Sequence, residues 1–141
     1  MDVLLIIGRV LFAIIFLLMG WAHISKPSNM VGYAQSKKVP AAKLSIQISG
    51  LLLIFGSISI ILGIYADLGA LVIAILLAMF ALKMHDFWAQ TDAQQKHSEM
   101  AQFLKDFSMS GAALVLFVVI GSADAGSNVI GPMITEALFN L

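Results

Sequence analysis

Four stretches of this chain stay apolar long enough to cross the hydrocarbon of a bilayer, which takes about 20 residues of helix. They cover residues 3–24, 44–66, 68–84 and 103–123. The first carries one charge, Arg9, and the second none. The third meets Lys83 only at its end, and the fourth has Lys105 and Asp106 near its start. The third is short, roughly 25 Å at about 1.5 Å per residue, and spans with little tilt or with local thinning.

The connections differ in kind. Only a tight turn around Tyr65-Ala66-Asp67 separates the second and third runs, so these form an antiparallel hairpin. The first connection, residues 25–43, is longer. Pro27 suits the first turn of a helix and Val39-Pro40 ends one. Met30, Tyr33 and Ala34 can share one face of that helix, which is expected at the membrane interface. Thr91-Asp92-Ala93-Gln94 reads as an N-cap followed three residues on by glutamine, so the fourth helix begins well before its apolar run. After Asp124, Gly131-Pro132 is expected to open a short amphipathic helix carrying Ile134, Leu138 and Leu141. The first run follows Met1-Asp2 with no basic segment, and no small-residue cleavage pattern follows it. It reads as a retained helix rather than a signal peptide.

Composition narrows the class. Of 141 residues, 60% are hydrophobic and 11% charged. A chain this small cannot bury that much apolar surface within itself, so a soluble globular domain is excluded, and so is disorder. The net charge of +0 leaves no basic excess for nucleic acid. No cysteine is present, which excludes thiol catalysis, disulfides and cysteine-ligated clusters. Charge distribution sets an orientation. Lys26, Lys37, Lys38, Lys43, Lys83, Lys96 and Lys105 all fall in or beside the first and third connections. Basic loops favour the cytoplasm, which puts both termini outside.

Rows of small residues allow close helix approach in lipid. They are Ser49, Gly56 and Gly63 with Ser59; Ala70, Ala74 and Ala78; and Ser108 and Ala112 beside Gly111. Ionisable groups inside spans are costly and face a bundle interior or a cavity. At about 100° per residue, Arg9, Phe16, Gly20 and His23 lie on one face. Arg9 is structural, lines an outer cavity, or snorkels outward to pair with Asp2, Asp67 or Asp124. His23 and His85 sit at one depth on different helices, near Lys105, Asp86 and Gln47. They serve either as helix-end and interfacial polar groups or as a site. As a site, two imidazoles can ligate haem, two with Asp86 can hold a metal, or the histidines and Lys105 can bond the carbonyls of a quinone headgroup and supply protons.

The strings Gly8-Arg9-Val10-Leu11-Phe12, Gly20-Trp21-Ala22-His23, Tyr33-Ala34, Ser49-Gly50, His85-Asp86-Phe87-Trp88 and Phe103-Leu104-Lys105-Asp106 with Gly111 occur in order. Together they resemble the DoxX family over roughly residues 3–122. The resemblance implies a four-span protein of the bacterial inner membrane, often discussed as a membrane subunit of oxidoreductases. The related DoxD proteins are associated with thiosulfate:quinone oxidoreductase. The resemblance carries Arg9, His23, His85 and Lys105 over as site residues.

The sequence therefore reads as an all-α integral membrane protein. Residues 1–124 form one four-helix transmembrane bundle, with a short interfacial helix between spans one and two, and residues 125–141 form a tail. The cofactor-binding candidates are His23, His85, Lys105, Asp86, Arg9 and Gln47, with no assigned catalytic residue and no metal. The cofactor is left open, with quinone ranked ahead of haem. The expected partners are the bilayer, a membrane or peripheral oxidoreductase, and further copies of the chain. The expected role is the membrane subunit of a quinone-linked oxidoreductase. The rival readings are a non-enzymatic scaffold or assembly factor, and a carrier of a small lipophilic molecule.

Overall fold

The first apolar run becomes a 24-residue helix, α1 (Asp2–Ser25). Its buried residues are Arg9, Ala13, Phe16, Gly20 and His23, the stripe that the helical period requires. Leu4, Leu11 and Leu18, seven residues apart on the opposite side, are largely exposed. With no aqueous core to seek, such side chains belong against lipid. A computed structural model describes residues 2–123, 129–139 and 141 of the chain. The remaining helices are α2 (Pro27–Ser36), α3 (Ala42–Leu62), α4 (Ala66–Met84) and α5 (Ala93–Gly121), with a 3₁₀ turn at Phe87–Ala89. Four of them, α1, α3, α4 and α5, are long and apolar enough to cross a membrane. The protein is a four-helix membrane bundle.

The helices pack in the order α1, α3, α4, α5, each against the next. Their core is built on Phe16, Leu53, Ile60, Ile73 and Leu77, with alanines 13, 70, 74 and 113 between them. Glycine sets two of the crossings. A Cβ on Gly20 would stand 2.7 Å from the Gly50 carbonyl oxygen, and one on Gly50 would stand 2.9 Å from that of Gly20. Gly56 and Gly69 meet in the same way between α3 and α4, at 3.0 and 2.9 Å. Only residues without a Cβ let the backbones approach so far, and in lipid this packing holds the pair together. In α5 the contact face differs from the expected one. Ser108, Gly111 and Ala112 are exposed, while Asp106, Ser110 and Ala113 are buried. Ser110 donates to the Ala74 carbonyl at 2.7 Å, and that polar anchor fixes the rotation of α5.

Two element ends shift. α3 stops at Leu62, four residues short of the expected limit, because Gly63 takes a left-handed conformation (φ 69°) and caps it. Thr91 is not the cap of α5. Asp92 is, and its Oδ1 accepts the Gln95 amide at 2.8 Å. α2 begins at Pro27 and packs on α3 through Ala34, Ala42 and Ile46.

The tail corrects an expectation. Residues 129–139 contain no helix. The Ile134 and Thr135 amides donate to the Gly63 carbonyl at 3.0 and 3.1 Å, and the Leu141 amide donates to Gly121 at 3.0 Å. The Phe139 amide donates to Asp67 Oδ2 at 2.7 Å. Carbonyls at the α3 and α5 ends lack helical partners, and the tail satisfies them instead of its own backbone. It therefore folds back as an irregular strap over the end of the bundle opposite α2. Ile134, Leu138 and Leu141 remain mostly exposed. Asp124 and residues 125–128 lie outside the described residues.

Candidate functional site

Arg9 belongs to the strap end. It is buried, and its guanidinium donates to the carbonyls of Pro132 (2.6 Å), Ile130 (3.4 Å) and Ile61. It neither snorkels nor pairs with Asp2 or Asp67. Asp67 is fully buried and holds the tail at Phe139. The Arg9 fork finds carbonyl oxygens because the tail comes to lie across it. Its contacts are those of a structural clamp.

The other end of the bundle is open. A cavity of about 1200 Å³ lies between the bundle and α2. That exceeds the usual range of ligand sites, roughly 300–1,000 Å³. Its polar lining includes His23, Tyr33, Ser49, His85, Lys105 and Asp106, together with Asn29, Ser45, Lys83 and Gln102. Most of its other walls are apolar, among them Met19, Leu52, Leu76 and Phe80. Ile48, Ile75, Met79 and Leu82 also line it and are themselves about half-exposed. The opening is therefore on the flank of the bundle, among side chains that face lipid.

His23 is buried beside Phe80, ring centroids 6.0 Å apart. Its Nδ1 lies 3.0 Å from Ser49 Oγ, and Ser49 donates to the Ile46 carbonyl at 2.9 Å. Across the cavity, His85 caps α4. Its Nδ1 lies 2.8 Å from Glu99 Oε2 and its Nε2 lies 3.5 Å from Asp106 Oδ2. Lys105 Nζ lies 3.4 Å from Asp106 Oδ1 and donates to Gln102 Oε1 at 2.5 Å. The Tyr33 hydroxyl sits 2.7 Å from both the Met84 carbonyl oxygen and Glu99 Oε1, and its single proton is shared between them. Burial raises the Tyr33 phenol above the usual tyrosine range, and the hydrogen bond and negative charge of Glu99 add to the effect.

The structure thus brings His23, His85 and Lys105 to one cavity and separates three other candidates from it. Asp86 turns to α2, where it pairs with Lys37 and accepts from Gln90 Nε2 at 3.1 Å. Gln47 is half-buried and lies on the side of α3 away from Ser45, Ser49 and Leu52. Arg9 stands at the far end. Two groups join the cluster that sequence reasoning did not single out as site residues, Tyr33 and Glu99. The available signal was the spacing of Glu99, Gln102 and Asp106 at i, i+3 and i+7, a polar stripe along one face of α5.

The strings in α1 to α4 now have a place. GRVLF lies on the clamp end of α1, Gly20 and Gly50 form the α1–α3 crossing, and His23 and His85 flank the cavity. The DoxX family model matches residues 4–86 of the chain. The chain belongs to the DoxX family. The match covers α1 to α4, so the α5 strings and the tail lie outside it. No curated protein and no solved structure matches the chain.

The donor sets of this DoxX chain bear on the ligands considered for it. A haem held by two imidazoles needs one free ring nitrogen from each histidine. Both nitrogens of His85 face carboxylates, so the pair does not fit haem. Among the described residues no group of three His, Asp or Glu side chains is placed to hold a metal ion. Mostly apolar walls, a few polar groups and half-exposed apolar residues at the opening leave room for a lipophilic ligand.

Proposed function

We propose that this DoxX chain is the membrane subunit of a quinone-linked oxidoreductase and that the flank cavity receives the quinone. The lipid-side opening of the cavity, with His23 and His85 on its walls, carries this reading. A molecule dissolved in the hydrocarbon core reaches such a site without leaving it. A quinone, when bound, supplies two-electron chemistry coupled to the movement of two protons, and a redox partner carrying its own electron carrier completes the reaction. His23 orients the headgroup and exchanges a proton with it, while His85, held between Glu99 and Asp106, forms the opposite wall. Lys105 and Asp106 hold the rim. Tyr33 ties α2 to the Met84 carbonyl and Glu99, and so keeps the cavity covered on its aqueous side.

Residues 1–124 act in this reading as one transmembrane unit in the bacterial inner membrane. The lysines at the α2 end face the cytoplasm and both termini face outward. A reporter fused at the C-terminus reads active only outside the cytoplasm. Reporter activity inside would overturn the orientation.

The test of the function is mass spectrometry of the organic extract from gently purified protein, beside the His23→Ala and His85→Ala variants. Stoichiometric quinone in the wild type, lost in both variants, is expected. An extract of bulk phospholipid alone in all three, with one partner protein co-purifying, would replace this reading with that of a membrane scaffold.

A further inference from the structure

The hydrogen-bond directions around His23 are fixed by a group that can only accept. The Ile46 carbonyl lies 2.9 Å from Ser49 Oγ. A carbonyl oxygen has no proton to give, so the single Ser49 proton lies in that bond. Ser49 Oγ then faces His23 Nδ1 at 3.0 Å with lone pairs only. With the Ser49 proton in that bond, His23 carries its proton on Nδ1 and donates it to Ser49. No carboxylate stands within ion-pair distance of His23 among the described residues, so the site presents the neutral ring. In a neutral imidazole protonated at Nδ1, Nε2 is an acceptor. Nε2 has no protein partner among the described residues, and it is not among the sealed polar atoms that lack one. It is left as an open lone pair on a ring that lines the cavity.

The opposite wall has the same polarity. Asp106 is buried, and its two oxygens face Lys105 and His85 only at 3.4 and 3.5 Å. These distances are longer than close charge-assisted bonds, and the carboxylate keeps acceptor capacity. The ammonium of Lys105 faces Gln102 and Asp106, and its side chain is 44% exposed at the rim. Of the buried polar lining, His23 Nε2 and the Asp106 carboxylate thus accept rather than donate, while the donors Asn29 and Lys83 belong to exposed residues of the lining. An oxidised quinone headgroup also offers only acceptors, its two carbonyl oxygens. Its reduced form offers two hydroxyl donors.

We infer that the cavity is built for the reduced ligand, a lipophilic hydroquinone whose ring hydroxyl donates to His23 Nε2. Ser49 is the positioning residue that sets the histidine tautomer. This inference rests on the quinone reading above and refines it by naming the redox form that binds. A buried acceptor facing another acceptor loses its bond and its water together, so the two forms are well separated in affinity.

The test uses the whole protein in nanodiscs, kept anaerobic, titrated with a decyl-substituted benzohydroquinone and with the matching benzoquinone. The hydroquinone is expected to bind about tenfold tighter or better. Ser49→Ala removes the lock on the tautomer while preserving a small helical residue. It is expected to shrink the preference to about twofold, through both weaker hydroquinone and stronger quinone binding. Nuclear magnetic resonance of isotope-labelled histidine reads the tautomer directly, and His23 is expected protonated at Nδ1 in the wild type and mixed in Ser49→Ala. Equal affinity for the two forms, or preference for the quinone, would overturn this inference and leave the quinone site standing. Failure of both forms to bind a folded protein would overturn the proposed function with it.

Discussion

Gly50→Ala is a sharp test of how the bundle is held. The new methyl would lie 2.7 Å from His23 Cβ, 2.9 Å from the Gly20 carbonyl oxygen and 3.1 Å from Ile24 Cγ1. Ordinary contacts begin near 3.4 Å. The first two neighbours are a Cβ and a backbone atom, which no rotamer change moves aside, so α1 and α3 must part. Overpacking of this kind costs about 1–3 kcal/mol. Alanine regains about 1 kcal/mol of helix propensity over glycine. Because both close contacts are rigid, the net expectation is a loss of about 2 kcal/mol. Gly111→Ala, also within a helix, is the control. Nothing lies within 4 Å of its Cβ position, so the propensity gain acts alone and the variant is neutral or stabilised by up to about 1 kcal/mol. Unfolding in mixed micelles titrated with dodecyl sulfate, followed by circular dichroism and by the fluorescence of Trp21 and Trp88, measures both. A Gly50→Ala protein as stable as Gly111→Ala would refute the close glycine crossing.

Other expectations are shorter to state. Arg9→Gln removes charged hydrogen bonds to the tail carbonyls, each worth about 1.5–3 kcal/mol, and hydrogen exchange at Ile134, Thr135 and Phe139 should rise toward that of an open segment; unchanged protection would show that the strap does not depend on the clamp. In a Tyr65→Phe background Tyr33 is the single tyrosine, and its phenolate absorbance should stay absent through pH about 10, where free tyrosine ionises. Its raised phenol pKa gives this sign, and ionisation at the ordinary pH would show that Tyr33 is not buried against Glu99. Lys37→Ala breaks a pair whose members are 9% and 30% exposed. It should lower stability by no more than about 1 kcal/mol, and a loss several times larger would make this pair a principal fastening of α2.

What the sequence disclosed and what it withheld divide along physical lines. Span existence, the inward stripe of α1 and the Pro27 start of α2 follow from local periodicity and backbone chemistry, and these are legible in one dimension. The meeting of His23, His85 and Lys105 at one cavity needed helix order, which no period encodes. Gln47 shared their depth but pointed the other way, a matter of rotation rather than of height. Glu99 was hidden because it stands before the apolar run of its own helix, where a charge usually marks solvent. The α5 contact face was misjudged because small residues alone do not choose a face, and the Ser110 bond to Ala74 does. The tail misled most. Its amphipathic spacing suggested a helix, yet its amide protons were worth more to the unfinished ends of α3 and α5.

The Arg9 clamp carries a consequence for biogenesis. Its acceptors at Ile130 and Pro132 lie 121 and 123 residues further along the chain. The first helix therefore enters the bilayer with a charge whose partners the ribosome has not yet made. Arginine within a span disfavours insertion, by up to about 2.5–3.5 kcal/mol at the centre, and the Ile61 carbonyl relieves only part of that burden before residues 130–132 are made. The bundle therefore closes only after residues 130–132 have emerged, and a chain stalled before them would expose a partly unsatisfied guanidinium to membrane quality control.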